Sequence, residues 1–275
     1  MAKFDGLLLC TDLDDTLLTD DKRVSEENIA ALQYFMENGG LFTFATGRVP
    51  EGARLMLQYI VPNAPMVCFN GGAIYDYASE KFIWQAELND RAEGAIAYVE
   101  KNFPPAGIEV CTDSQVYFCR VNRIVEEHKR MENFPDNDRD YHDIHETWRK
   151  VMFMVEEKDI EPLKNVIAES PYANDFTYMR SSPWYYELLP KGATKGAGML
   201  RLAKLLGIRP ENTIGMGDNE NDLSLVQDAG LGIAVANAAD CIKKAATMLT
   251  VDNNSHAVSA VVKYLESRDW ANRNI

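Results

Sequence analysis

Apolar and polar positions fall into two rhythms along this chain. Residues 6–11 (GLLLCT) form an apolar run, as expected of a strand buried on both faces of a sheet. Ser25, followed by Glu26 and Glu27, has the chemistry of a helix N-cap, and Gly39-Gly40 closes that helix. Residues 41–45 read as a second strand, Pro50 opens a second helix, and 66–69 read as a third strand. The last eighty or so residues return to this alternation. Helices are predicted at about 194–206, 222–227, 238–246 and 256–267, with strands at 213–216, 231–235 and 248–251. Strands separated by helices at this spacing imply βαβ units and a parallel sheet.

The middle of the chain has a different pattern. Segments 108–111 and 116–120 flank the polar turn Thr112-Asp113-Ser114-Gln115 and predict an antiparallel hairpin. Further strands are expected at 151–155, 176–180 and 184–188, with helices at 91–102, 125–133 and 160–169. Residues 133–143 are polar, contain a proline and read as a loop. The expected architecture is therefore an α/β core with a parallel sheet, formed by residues 1–84 and 189–275, interrupted by an inserted α+β domain at 85–188.

Composition narrows the function classes. Forty-two acidic against 28 basic side chains give a net charge of -14 over 275 residues, which repels phosphodiester backbones and argues against nucleic acid as a partner. Small anions remain possible substrates, because a bound cation inverts the local field of a site. No apolar run approaches the roughly 18 residues of a membrane span. The opening MAKFDGLLLC is a poor secretory signal, and the five cysteines are widely spaced with no CxxC pair. Together these point to a cytoplasmic protein with reduced thiols. No signal in the sequence bears on oligomeric state.

Four segments at predicted strand ends or helix starts carry candidate chemistry. Asp12-Leu13-Asp14-Asp15-Thr16 follows the first strand, where residues two apart can face one site. Two close carboxylates call for a cation or a shared proton, although acidic pairs after strands also serve as plain turn residues. Ala45-Thr46-Gly47-Arg48 offers a hydroxyl and turn N–H groups to an anion. Lys195, at the opening of a helix, can bring positive charge to a phosphate. Asp218 and Asp222, in Gly217-Asp218-Asn219-Glu220-Asn221-Asp222, add oxygen donors suited to Mg²⁺.

In this order the segments resemble the haloacid dehalogenase (HAD) superfamily of aspartyl-phosphate phosphatases. More narrowly, FATGR (44–48), FNGG (69–72), LLPKGATKG (188–196), GMGDNENDLSL (215–225) and GIAVANA (232–238) resemble the Cof-type hydrolases with a class IIB cap. The resemblance implies a HAD-like Rossmannoid core and assigns 85–188 to the cap. It implies Asp12 as nucleophile and Asp14 as general acid and base. Mg²⁺ would be held by Asp12, the Asp14 backbone carbonyl and Asp218. Leu13, Thr46, Gly47, Lys195 and Asn221 would bind the phosphoryl group, with Asp222 behind them. The implied reaction is Mg²⁺-dependent hydrolysis of small phosphomonoesters, sugar phosphates first, with a small phosphorylated metabolite as the partner. Phosphoryl transfer to a sugar, and non-catalytic metabolite binding on the same scaffold, are the alternatives.

Asp15 stands where many members carry glycine, and a left-handed backbone there would suit aspartate better than most residues. Other features read as structural. His142 and His145 lack a third ligand, Cys10 and Cys68 fall in core strands, and Trp184-Tyr185-Tyr186 reads as strand packing. Residues 126–130 (EEHKR) read as a solvated helix face.

Overall fold

The computed structural model describes residues 2–268. The chain forms two compact units, one running to Gln85 and resuming at Thr194, the other spanning Ala86–Ala193. In the first unit, β1 (Leu8–Thr11) is buried along its whole length, which is why its sequence is apolar without alternation. Helix α1 (Glu26–Glu37) starts at Ser25, whose hydroxyl accepts the Asn28 N–H at 3.3 Å, and it ends where Gly39 turns left-handed at φ +91°. Then come β2 (Leu41–Phe44), the short α2 (Pro50–Arg54) and β3 (Met66–Cys68).

Here the fold departs from simple strand–helix alternation. A tight turn at Phe69–Gly71 reverses the chain into β4 (Ala73–Asp76) and β5 (Lys81–Gln85), giving a three-stranded antiparallel sheet in the order β3-β4-β5. A parallel bridge from Ala45 to Val67 links β3 to the end of β2.

The second unit contains α3 (Ala92–Asn102), β6 (Gly107–Cys111), β7 (Val116–Arg120), α4 (Arg123–Glu132), β8 (Lys150–Met154), α5 (Ile160–Ala168), β9 (Thr177–Arg180) and β10 (Tyr185–Leu189). Its five strands are antiparallel in the order β7-β6-β8-β10-β9. One face carries Ile108, Val110, Val151, Phe153 and Leu188 against Ile96 and Val99 of α3 and Leu163 and Ile167 of α5. The other face packs Phe118, Met152 and Met154 against Ile124 and Val125 of α4. That helix is not the solvated face expected of residues 126–130. His128 and Lys129 are buried: the His128 Nδ1 meets the Tyr185 hydroxyl at 3.1 Å, and the Lys129 ammonium pairs with Asp138 above the Phe118 ring. A lysine stem long enough to cross apolar surface makes this possible.

Returning to the first unit, the chain forms α6 (Lys195–Leu206), β11 (Thr213–Gly217), α7 (Leu223–Asp228), β12 (Leu231–Ala234), α8 (Asp240–Ala245), β13 (Met248–Leu249) and α9 (Ala257–Glu266). The parallel sheet has the order β13-β12-β11-β1-β2, with Leu8 level with Thr213 on one side and Leu41 on the other. Connections leave β1 toward β2 and later return to β11 on its opposite side. The carboxyl ends of β1 and β11 therefore flank the crevice where such sheets bind ligands. Among the described residues, no helix is long and apolar enough to cross a membrane.

Candidate active site

The first strand delivers Asp12 in extended backbone (φ -64°, ψ 163°), and its N–H donates to the Met216 carbonyl at 2.9 Å, fixing the loop to β11. The chain then winds through a wide turn at Leu13–Leu17, where Asp15 has φ +56°. Aspartate tolerates that backbone. Its side chain takes the Lys22 ammonium at 3.0 Å and its carbonyl the Asn237 amide at 2.7 Å, so the loop closes without the usual glycine. Leu13 buries its side chain completely and its carbonyl accepts the Leu18 N–H, which leaves its N–H as the group it can offer an anion.

Thr194 caps α6 by accepting the Ala197 N–H, and the following Lys195 is fully buried. Its ammonium donates to Asp12 Oδ1 and to Asp222 Oδ1, both at 2.6 Å. Burial works against that charge, but the two carboxylates outweigh it and hold Lys195 above the usual lysine range. The other oxygen of Asp222 accepts the N–H groups of Asp218 and Asn219 at 3.0 and 3.1 Å. Both Asp222 oxygens are thus engaged in holding the loop and the lysine.

Asp12, Asp218 and Asp222 each offer an oxygen within 4.8 Å of the others. Burial, with Asp222 close by, pushes the Asp218 carboxyl up to about 7, against the pull of the Thr16 hydroxyl at 2.8 Å. Asp12 is likewise driven upward, by burial and then by Asp222, while Lys195 opposes the shift. Three carboxylates against one ammonium leave surplus negative charge in a buried site. A hard divalent cation with oxygen ligands fits that donor set.

The Asp14 carboxylate stands outside this group. Arg48 holds it through two hydrogen bonds of 3.0 Å, from Nε to Oδ2 and from Nη2 to Oδ1, and Lys22 lies 3.4 Å from Oδ1. Burial alone would raise its pKa, yet these cations outweigh burial and keep it below the usual aspartate range.

Thr46, buried at the end of β2, anchors its N–H on the Val67 carbonyl, and its hydroxyl oxygen accepts the Arg48 N–H at 3.1 Å. Gly47 lies against the Asn70 amide, and Asn221 donates to Asn70 Oδ1 at 3.1 Å. Asp12, Lys195, Asp218 and Asp222 therefore come together directly, while Gly47 and Asn221 meet through Asn70. Sequence reasoning missed Thr16, Arg48 and Asn70 as site residues. Arg48 and Asn70 lay within FATGR and FNGG, and a cation beside a predicted acid was the available signal for Arg48. His142 pairs with Asp140 at 2.6 Å and joins no metal-ligating group among the described residues. Cys10 and Cys68 are fully buried, with their thiols driven upward by burial.

Comparison with known proteins supplies the context for this geometry. A family model described as haloacid dehalogenase-like hydrolase matches residues 9–262. The 5-amino-6-(5-phospho-D-ribitylamino)uracil phosphatase YcsE of Bacillus subtilis is 26% identical over 257 residues, covering 94% of each chain. A haloacid dehalogenase-like hydrolase from B. subtilis shares the fold with a TM-score of 0.82 at 24% identity, covering 94% of this chain and 99% of its own. A HAD subclass IIB sugar phosphatase does so with a TM-score of 0.80 at 20% identity, covering 94% and 98%.

Proposed function

The chain belongs to the haloacid dehalogenase-like hydrolases and acts on phosphoric monoesters, and from that premise we propose a Mg²⁺-dependent phosphatase of small phosphomonoesters, sugar phosphates first, working through an aspartyl-phosphate at Asp12. The observation that carries this reading is the buried Lys195 ammonium bridging Asp12 and Asp222 beside Asp218. Carboxylate oxygens of Asp12 and Asp218 and the backbone carbonyl of Asp14 would hold Mg²⁺, which supplies positive charge to the phosphoryl oxygens.

In the first half-reaction a carboxylate oxygen of Asp12 attacks phosphorus as the ester P–O bond breaks; Asp14, whose carboxylate Arg48 holds ionised here, must leave that guanidinium and take up a proton from solvent before giving it to the departing alkoxide. In the second, water attacks the phosphorus of the acyl phosphate. Asp14 takes the water's proton, phosphate leaves, and the Asp12 carboxylate is restored. The Thr46 hydroxyl, the N–H groups of Leu13 and Gly47, the Lys195 ammonium and the Asn221 amide hold the phosphoryl oxygens while charge redistributes. Asp222 orients Lys195 and shapes the loop that carries Asp218.

The Ala86–Ala193 unit is assigned the role of cap, selecting the alcohol portion of the substrate. The nature of the relatives supports a small phosphorylated metabolite, and the acidic charge and dispersed cysteines suit a cytoplasmic enzyme.

The test is phosphate release from p-nitrophenyl phosphate and a panel of sugar phosphates, with Mg²⁺, with EDTA, and with the Asp12→Asn variant. Release is expected to require Mg²⁺ and to fall by roughly a thousandfold or more in the variant. Turnover that is indifferent to EDTA, or that survives Asp12→Asn without deamidation, contradicts the proposal.

A further inference from the structure

The turn at Phe69–Gly71 is the most strained backbone near the site. Phe69, Asn70 and Gly71 are consecutively left-handed, at φ +50°, +52° and +92°. Two non-glycine residues in that region persist only where their surroundings dictate it, and such strain gathers at functional sites. The surroundings here are three segments of the phosphate site. Toward the β2 loop, the Phe69 and Asn70 N–H groups donate to the carbonyls of Arg48 and Thr46 at 3.3 and 3.0 Å. The Asn70 amide lies against Gly47 so closely that a Cβ on that glycine would stand 2.9 Å from Nδ2 and 3.0 Å from Oδ1. Toward the β11 loop, Asn70 Oδ1 accepts the Asn221 amide. Toward α6, a Cβ on Gly71 would fall 1.8 Å from the Thr194 carbonyl oxygen, in the residue that caps the helix and precedes Lys195.

Resting on the phosphatase reading above, we infer that Asn70, at the centre of this turn, is a positioning residue for the phosphoryl group, acting through Gly47 and Asn221. Its side chain is fully buried and its oxygen demands a donor, so it fixes which end of the Asn221 amide serves the anion. With one Asn221 N–H given to Asn70, the second is aimed by the same contact. The Gly71 approach sets the start of α6, and thereby Lys195, to the same reference. One turn thus registers the β2 loop, the β11 loop and the lysine helix against one another.

Two substitutions test this without distorting the turn, because glycine and aspartate both accept the left-handed backbone. Asn70→Gly removes the amide. Asn70→Asp still accepts from Asn221 but sets a negative charge beside the cradle. Binding of inorganic phosphate, followed by calorimetry with Mg²⁺ present, is expected to weaken about fivefold for Asn70→Gly, the loss of one buried hydrogen bond. For Asn70→Asp we expect tenfold or more at about neutral pH, from charge repulsion. KM for a phosphomonoester should rise in parallel, by a larger factor than kcat falls.

If either folded variant binds phosphate within about twofold of wild type, the inference is overturned. If both fail to fold, it is overturned as well, because Asn70 then serves the fold rather than the cradle. A wild-type protein that neither binds phosphate nor hydrolyses esters with Mg²⁺ sinks the phosphatase reading itself, whatever the variants do.

Discussion

Arg48 and Asp14 meet although they lie thirty-four residues apart in the chain. The pair depends on two strand ends being neighbours in the sheet, and neither local sequence contains that fact. The same holds for Thr16 on Asp218, after the paired strands β1 and β11, while Asn221 reaches Asn70 from the end of a strand in a different sheet. The positions of Asp12, Lys195 and the Asp218–Asp222 loop could be read in advance, because each is a charged residue directly after an apolar run or at a helix start. The polar residues that hold them could not.

Arg48 has a measurable consequence for stability. The Asp14 carboxyl is held below its ordinary pKa, so its contribution to stability is present above the unfolded value of about 4 and lost as the pH falls toward the folded value. Arg48→Ala is expected to lower Tm by a few degrees near neutral pH. That deficit should shrink as the medium is acidified below about pH 4. A deficit that is the same at both ends of a pH series of melting curves would show that the carboxylate pairing is not its source.

Among the elements, those with periodic apolar faces and capping residues were legible, including α1 with Ser25 and α6 between Thr194 and Gly207. The β4–β5 hairpin was not: Asn70-Gly71 carries a turn signature, but Phe69, left-handed at φ +50°, opens the turn inside what reads as the strand 66–69. Helix α4 itself was legible, but the burial of His128 and Lys129 was not, because a histidine and a lysine in a charged run resemble a solvated face until their partners are known. The antiparallel sheet holds another such case.

Lys150 of β8 and Glu187 of β10 are both buried and lie 3.2 Å apart, and the Ser181 hydroxyl also donates to Glu187. Burial pulls the Lys150 pKa down, but Glu187 and its neighbours outweigh it and keep the ammonium charged. Removing one partner strands a buried charge, so Lys150→Met should cost about 3–5 kcal/mol in denaturant unfolding. Adding Glu187→Gln should recover much of that loss. A single variant as stable as wild type would show that the pair is dispensable.

At the scale of the whole molecule there are two units with separate cores: the parallel sheet carries the proposed reaction centre, and the antiparallel sheet is the proposed selector. Strand–helix alternation in the flanking sequence and hairpin spacing in the middle were enough to anticipate both kinds of sheet. The alcohol that the enzyme prefers was not legible, since it depends on side chains whose placement emerges only from tertiary packing. The surplus of acidic residues need not oppose an anionic substrate, because Lys195 and the cation proposed for the carboxylate cluster would govern the field where the phosphoryl group would bind.

In the proposed mechanism the phosphoryl group passes covalently through Asp12. Rapid acid quench of the Mg²⁺-loaded enzyme during turnover, followed by borohydride reduction and peptide mass spectrometry, tests it directly. Reduction of an aspartyl-phosphate converts the residue to homoserine, and that mass change is expected at Asp12 alone, dependent on substrate. Turnover with an unmodified Asp12, or with the label on another carboxylate, would contradict it.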